Sequence, residues 1–294
     1  MQSLKEKLKD KLITLETTPP KLPTIKPMIE KLQKSEAYKY IDGFSTTDCP
    51  LSKLKFNSII AAYRLQETFK KPVIATMTMR DRNLIALQSD LLGANELDVT
   101  HILAITGDSI RISDQKAKGV LEGNSLLLLE IIEKFNKGQD FMGKEFKIPP
   151  KPITPFAVSN SFAKNFASIE KKIYKKASKK AAAIITQPIY NIEIAKKFIE
   201  IRDKIKKEFS DFEIVFGFFP ITKLKTALFL QKNVPGIYVP NEWIENLQKA
   251  QNKKEEELIG FEMSKELFKK LFTLNPRIHI MTANHFEIVK KLLE

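Results

Sequence analysis

One stretch of the chain, residues 73–108, limits the possible folds more than any other. Short apolar runs rich in β-branched residues occupy Val73–Met77 and His101–Ile105, and each run stops at polar or glycine residues. Between them, residues 83–97 place leucines at helical spacing. Two strands joined by a helix form a parallel βαβ unit, because parallel strands need a long crossover connection. The stretch therefore predicts an α/β fold.

Strand-like and helical segments continue to alternate along the rest of the chain. Eight strand–helix units in 294 residues favour a closed (β/α)8 TIM barrel over an open sheet. A ninth strand-like run, Gly236–Val239, is the shortest and lies between two prolines, so we expect it outside the barrel. No linker or internal repeat marks a boundary. The prediction is one domain spanning residues 1–294, with an extra helix at Leu4–Leu12 before the first strand.

The composition narrows the classes of protein to which the chain can belong. The net charge is +14, but the lysines are spread over many helices and the sequence has no nucleic-acid motif, so we expect no specific nucleic acid partner. A single cysteine, Cys49, excludes an internal disulfide and a cysteine-based zinc cluster. No apolar run approaches the ~20 residues that span a membrane, and the N-terminus lacks the apolar region of a secretory signal. We expect a cytoplasmic protein.

Polar side chains follow the predicted strands at their carboxyl ends, where parallel α/β folds carry their active sites. In a closed barrel they would converge on one rim, which includes Glu16, Thr47, Asp48, Thr78, Thr106, Gly107, Asp108, Ser159, Asn160, Thr186, Gln187, Thr222 and Thr282. Glu16 and Asp108 are carboxylates on different strands of the rim, but the rim has no triad of nucleophile, histidine and acid, and no metal-ligand spacing. The three histidines, His101, His279 and His285, fall early in strands or on the last helix. Such a rim suggests that a bound cofactor performs the difficult chemistry.

Five motifs, in this order, resemble the methylenetetrahydrofolate reductase family. They are T-M-R-D-R-N-L at Thr78–Leu84, A-L-Q-S-D-L-L-G-A at Ala86–Ala94, L-A-I-T-G-D at Leu103–Asp108, I-I-T-Q-P-I-Y at Ile184–Tyr190 and V-P-G-I-Y-V-P at Val234–Pro240. The likeness extends over nearly the whole chain, and it looks closest to the bacterial branch of the family. The family consists of FAD-dependent enzymes built on a TIM barrel, so the resemblance implies the same fold as the strand pattern.

The resemblance implies that the chain reduces 5,10-methylenetetrahydrofolate to 5-methyltetrahydrofolate, a reaction of one-carbon metabolism that feeds methionine synthesis. A hydride would pass from NADH or NADPH to FAD and then to the folate, which binds at the same face. By the same resemblance, Glu16 is the general acid that opens the folate ring. Asp108 stabilises the cationic folate and tunes the flavin, and Gln187 hydrogen-bonds the pterin.

The resemblance also implies a set of ligand contacts. Residues at or near flavin-binding positions are Thr47, Thr76, Arg80, Thr106, Gly107, Asp108, Asn160 and Lys176. Thr76 stands where many relatives have a histidine that contacts the flavin, and Leu224 replaces an aromatic residue used against the substrate or nicotinamide. Surface ion pairs are the alternative explanation for Arg80, and a solvated helix face is the alternative for Lys176.

Two other functions remain open from the sequence. One is a folate-binding barrel of the same family that has lost the nicotinamide reaction and takes electrons from a partner protein. The other is a basic nucleic-acid-binding module, which weak and salt-sensitive binding would argue against. Relatives are often oligomeric, so we expect a homo-oligomer, although no segment identifies the interface.

Overall fold

The computed structural model describes residues 3–120 and 122–294, and these residues form a closed parallel barrel surrounded by helices. The barrel has eight strands, each paired with its neighbours in chain order, and β8 closes the ring against β1. The strands are β1 Leu12–Thr17, β2 Gly43–Thr46, β3 Val73–Thr78, β4 His101–Ile105, β5 Thr154–Ser159, β6 Ala183–Pro188, β7 Glu213–Phe218 and β8 Arg277–Ile280. The predicted (β/α)8 TIM barrel is confirmed, and Gly236–Val239 lies outside it as expected.

Helices follow the strands and cover the outer face of the barrel. They are α1 Leu4–Lys7, α2 Lys26–Ser35, α3 Ser58–Phe69, α4 Leu84–Glu96, α5 Ser125–Asn136, α6 Phe166–Ser178, α7 Ile192–Lys206, α8 Leu224–Asn233, α9 Asn241–Gln248, α10 Lys253–Leu274 and α11 Glu287–Leu293. Asparagine side chains begin six of them, because their oxygen accepts a hydrogen bond from a backbone N–H that the helix leaves unpaired. These caps are Asn57, Asn83, Asn124, Asn165, Asn191 and Asn252.

The barrel interior is apolar in its middle layers and is closed at the amino-terminal end of the strands. Alternate strand residues point inward, and Leu12, Leu103 and Phe156 belong to one buried interior cluster. Leu4, in α1, and Leu8, the residue directly after α1, belong to the same cluster. The short N-terminal helix therefore plugs one end of the barrel and leaves the carboxyl ends of the strands as the open rim.

Several helix and strand ends differ from the sequence prediction. The N-terminal helix ends at Lys7 instead of Leu12, because the chain must turn before it enters β1. The sequence pattern predicts a second strand over Tyr40–Thr47, but this strand starts at Gly43, because Ala37–Tyr40 form a 3-10 helix. The last helix begins at Glu287, so His285 lies in the preceding loop.

Helix α9 is an element that the sequence pattern does not predict. Its buried apolar residues are Trp243 and Leu247, one turn apart, which is too little periodicity to distinguish a helix from a loop. The Trp243 ring packs edge-on against the buried Tyr190 at a centroid distance of 5.5 Å. This tertiary contact stabilises the helix where the local pattern is weak. No helix in the described ranges is long and apolar enough to cross a membrane.

His101 should make the fold sensitive to acid. It begins β4 in the interior, is 6% exposed, and burial lowers its pKa from 6.5 to about 4. The unfolded chain therefore binds a proton at a higher pH than the folded protein, and stability falls as pH drops from 6.5 through 4. We expect the free energy of unfolding of wild type, relative to that of His101→Leu, to fall by about 3 kcal/mol between pH 7.5 and pH 4. Urea unfolding at both pH values measures this difference, and parallel curves would contradict the expectation.

Candidate functional site

Glu16 lies at the carboxyl end of β1 with a buried histidine behind it. Its carboxylate is 4.0 Å from Nε2 of His279, and its side chain is 28% exposed whereas that of His279 is 2% exposed. Nδ1 of His279 lies 2.7 Å from the Thr14 hydroxyl, and Nε2 lies 3.4 Å from the Ser45 hydroxyl. These contacts fix the orientation of the imidazole. The Glu16 carboxylate is thus accessible to a ligand on the rim, and the buried His279 imidazole behind it has a fixed orientation.

Three buried oxygens near the rim have no hydrogen-bond partner among the described residues. They are Oγ1 of Thr47 after β2, Oε1 of Gln187 near the end of β6, and Oγ1 of Thr282 after β8. Proteins pair nearly all their buried polar atoms, so each unpaired atom calls for an explanation. At an open rim, the donors of a bound ligand provide one. Two further unpaired atoms, in His101 and Glu213, belong to strand residues at the opposite end of the barrel.

Asp108 lies on the same rim, in the loop after β4, and is exposed. Its Oδ2 accepts a 2.6 Å hydrogen bond from the backbone N–H of Leu51, in the loop after β2. Gly107 precedes it with a φ of +94°, and a Cβ at this position would lie 2.9 Å from the Cβ of Arg80. Glycine is therefore required here, both for its backbone conformation and for the close contact. Asp108 is a carboxylate whose position depends on the neighbouring loop.

The two arginines of the Thr78–Leu84 motif are occupied by protein partners. Arg80 is 2% exposed and binds the Asp81 carboxylate, and this interaction raises the pKa of its guanidinium. Arg82 donates to Asp48 at 2.6 Å and to Asp90 at 2.7 Å. Both arginines therefore form ion pairs, but Arg80 is buried, so its pair is not the surface ion pair that the sequence offers as the alternative.

The other predicted ligand positions on β3, β4 and β5 have different surroundings. Thr76 points into the barrel from β3 and is 5% exposed. Thr106 is exposed, and its hydroxyl accepts a hydrogen bond from the N–H of Ser125 at the start of α5. Asn160 is exposed after β5 and packs closely against Gly236. A ligand on the rim is within reach of Thr106 and Asn160 because both are exposed at strand ends.

Lys176 is a half-buried cation near the carboxyl end of β5. Its ammonium group donates a 2.6 Å hydrogen bond to the backbone carbonyl of Val158. Burial, together with the nearby charge of Lys172, lowers the pKa of Lys176 to about 8. An anion bound beside this amine would favour its charged form.

A cavity of about 960 Å³ opens between the loops after β7 and β8 and the start of α10. Its walls combine apolar and polar side chains, including Phe219, Lys223, Lys254, Leu258, Phe261, Thr282, His285 and Ile288. The predicted substrate residue Leu224 begins α8 beside this wall, and its N–H donates to Glu256 at 2.6 Å. The cavity has the volume and the mixed lining of a site for a small organic molecule.

The structure adds His279 to the residues that the sequence predicts for the site. Sequence reasoning sets this histidine aside because it falls early in a strand. In β8 it alternates with Ile278 and Ile280, which point outward into the main core, so it points inward beneath Glu16. Strand alternation was the available signal, but β8 has only four residues, which is short for a reliable pattern.

Comparisons with known proteins agree with this architecture. The family model described as methylenetetrahydrofolate reductase matches residues 1–294. No curated protein matches the sequence. Among solved structures, the chain is similar to an uncharacterized protein from Clostridium thermocellum that binds two copies of 5-methyl-5,6,7,8-tetrahydrofolic acid. The TM-score is 0.63 at 16% identity, over 99% of this chain and 95% of that chain, and at this identity the likeness is one of fold.

Proposed function

The chain belongs to the methylenetetrahydrofolate reductase family, and we propose that it reduces 5,10-methylenetetrahydrofolate to 5-methyltetrahydrofolate with bound FAD and NADH or NADPH. The main support is Gln187, whose buried Oε1 has no partner among the described residues. A pterin ring carries an amino group and a ring N–H, which are donors that such an acceptor requires. Gln187 shares the rim with Glu16 and Asp108, the two carboxylates that the reaction needs.

The residues of the rim fit a flavin. Gly107 matches a flavin-binding position of the family and would contact the ring through its backbone, since Arg80 and Thr78 fill the space where a side chain would stand. Thr47 offers a hydroxyl oxygen that has no partner among the described residues, and Lys176 offers an amine whose charged form an anionic group would stabilise. FAD, when bound, supplies the hydride chemistry for which the side chains of the rim have no group. Thr47, Thr76, Arg80, Thr106, Gly107, Asp108, Asn160 and Lys176 remain our proposed cofactor positions.

Glu16 and Asp108 have different roles toward the folate: Glu16 donates a proton, and Asp108 stabilises a positive charge. Opening of the five-membered ring leaves a nitrogen that must gain a proton, and Glu16 is the rim carboxyl placed to provide it. His279 and its hydroxyl partners hold the region behind that carboxyl in a fixed arrangement. Asp108 stabilises the positive charge that develops on the opened folate, because a fixed carboxylate needs no reorganisation during the reaction.

A visible absorption spectrum of the purified protein tests the proposal. We expect a flavin spectrum, after addition of FAD if necessary, that bleaches without oxygen when NADH or NADPH is added. Methylenetetrahydrofolate should then restore the oxidised spectrum. A protein that binds no FAD, or whose reduced flavin is not oxidised by the folate, would contradict the proposal.

The second candidate function is a folate-binding subunit that receives electrons from a partner protein. Thr76 and Leu224 favour it, because they replace residues that relatives use against the flavin and the substrate or nicotinamide. In the same experiment, this candidate predicts a flavin that neither nucleotide reduces but that dithionite reduces and the folate oxidises. A homo-oligomer stays a prediction, and sedimentation measures it.

Gln187→Met should separate ligand binding from stability. Methionine has nearly the same length but cannot accept the hydrogen bonds of a pterin. We expect the affinity for 5-methyltetrahydrofolate to fall about tenfold, and the free energy of unfolding to stay equal or to rise, because an unpaired buried oxygen is removed. Calorimetric titration and urea unfolding measure the two effects. Unchanged affinity would remove Gln187 from the site.

A further inference from the structure

The loop between β2 and α3 has a backbone conformation that needs support from other segments. Cys49, Leu51 and Ser52 have φ values of +44°, +55° and +54°, which is the left-handed region that residues with a side chain rarely adopt. Three such residues within four positions persist only where surrounding contacts hold them. The loop borders the rim, so its support bears on the geometry of the site.

Arg80 and Ser52 supply that support. Four of the five N–H donors of Arg80 are used: two bind Asp81, one reaches the Cys49 carbonyl at 3.1 Å and one reaches the Ser52 hydroxyl at 3.2 Å. The Ser52 hydroxyl in turn lies 2.9 Å from the Ser109 carbonyl and 3.3 Å from the Asp108 carbonyl. Both side chains are buried, with exposures of 2% and 5%. The loop after β2 is therefore tied to the loop after β4.

This arrangement presents one backbone N–H to the proposed catalytic aspartate. The Leu51 N–H lies 2.6 Å from Oδ2 of Asp108, while Oδ1 makes no hydrogen bond to the described residues. Leu51 itself is 53% exposed, so its own side chain contributes little to fixing the amide. The left-handed turn and the contacts of Ser52 and Arg80 set the direction of that N–H. One carboxylate oxygen is thus anchored, and the other is left for a ligand.

We infer that Ser52 and Arg80 are positioning residues, which hold the Leu51 amide so that it orients the Asp108 carboxylate toward the folate. This inference rests on the proposed function. It also gives Arg80 a task other than contact with the flavin. Gly107 completes the arrangement, because the Cβ of Arg80 packs where a Gly107 side chain would stand.

Hydrogen exchange in the ligand-free protein tests the anchoring step without any cofactor. Ser52→Ala and Ser52→Gly both remove the hydroxyl, and glycine also suits the left-handed backbone, so this variant should fold normally. We expect the Leu51 amide to exchange about tenfold faster in both, and in Asp108→Ala. Ser35→Ala is the matched control, because its hydroxyl bridges backbone groups at the end of α2. Unchanged exchange at Leu51 in Ser52→Gly would overturn the inference.

A double-mutant comparison tests the consequence for the reaction. We expect Ser52→Gly to slow oxidation of the reduced flavin by the folate about tenfold and Asp108→Asn to slow it about a hundredfold. The rate of flavin reduction should change less than about twofold in Ser52→Gly, and in Asp108→Asn it should fall less than the rate of the folate half-reaction. The double variant should be no slower than Asp108→Asn, because Ser52 acts through Asp108. The inference would be rejected if the double variant were slower than Asp108→Asn by the full factor lost in Ser52→Gly. It would also be rejected if Ser52→Gly oxidised the reduced flavin at the wild-type rate. If wild type itself fails to oxidise reduced flavin with the folate, the proposed function fails instead, and the exchange result still decides the anchoring.

Discussion

Glu16→Gln should slow oxidation of the reduced flavin by methylenetetrahydrofolate by a factor of about 10²–10⁴, the usual contribution of a general acid. Glutamine keeps the size and hydrogen-bonding capacity of the side chain but has no proton to give. Reduction of the flavin by NADH or NADPH needs no such proton, so its rate should stay close to that of wild type. The carboxylate lies at the exposed rim, 4.0 Å from a buried histidine, so the substitution leaves the interior packing intact.

Stopped-flow spectroscopy separates the two half-reactions, because both change the flavin absorbance. Glu30→Gln is a suitable control, since this glutamate is exposed on α2 and faces Lys26 at 3.9 Å. Equal loss of both half-reactions in Glu16→Gln would indicate a general disturbance of the flavin site. A variant with normal folate turnover would exclude Glu16 as the acid.

Gly217→Ala should destabilise the barrel by about 3 kcal/mol or more, at the upper end of the usual cost of overpacking. Gly217 lies in β7 where an added Cβ would meet the backbone oxygen of Thr186 at 2.1 Å and the backbone carbon of Gln187 at 2.9 Å. Backbone atoms of a paired strand cannot move aside as a flexible side chain can. The strand β6 must shift, and Gln187 shifts with it, so folate binding should weaken together with stability.

Urea unfolding and calorimetric titration with 5-methyltetrahydrofolate measure both effects. Gly93→Ala is the matched control, because Gly93 lies within α4 and an added Cβ would meet nothing within 4 Å. There the same substitution should stabilise the protein by about 0.5–1 kcal/mol through helix propensity. If both variants have similar stability, the close contact between β6 and β7 does not exclude a side chain at position 217.

The order of strands and helices could be predicted because a parallel barrel buries its strands on both faces. Each strand then becomes a short continuous apolar run, as in Val73–Thr78 and His101–Ile105, where the structure agrees with the pattern to within one residue. The rim follows from the same pattern, since parallel strands place all their carboxyl ends on one side. Helix α9 could not be predicted, because its stability depends on a contact between Trp243 and Tyr190, 53 positions earlier.

The role of each polar residue on the rim is less accessible from sequence. Arg80 and Gln187 both appear as polar residues of a motif near a strand end. Most donors of Arg80 bind Asp81 and the loop after β2, whereas Oε1 of Gln187 has no partner among the residues that the structure describes. His279 looks like an ordinary strand residue until β1 and β8 pair and bring it beneath Glu16.

The sequence by itself determines the barrel, its open rim and the positions of Glu16 and Asp108 on that rim, because these follow from the patterns of single strands and helices and from their order. Tertiary structure alone decides which polar groups are held by the protein and which stay free for a ligand. Hydrogen bonds such as that between Leu51 and Asp108 join segments 57 residues apart, and the Thr14–His279 contact spans 265 residues. Burial and pairing at such separations arise only when the ring of strands closes, and no local pattern encodes them.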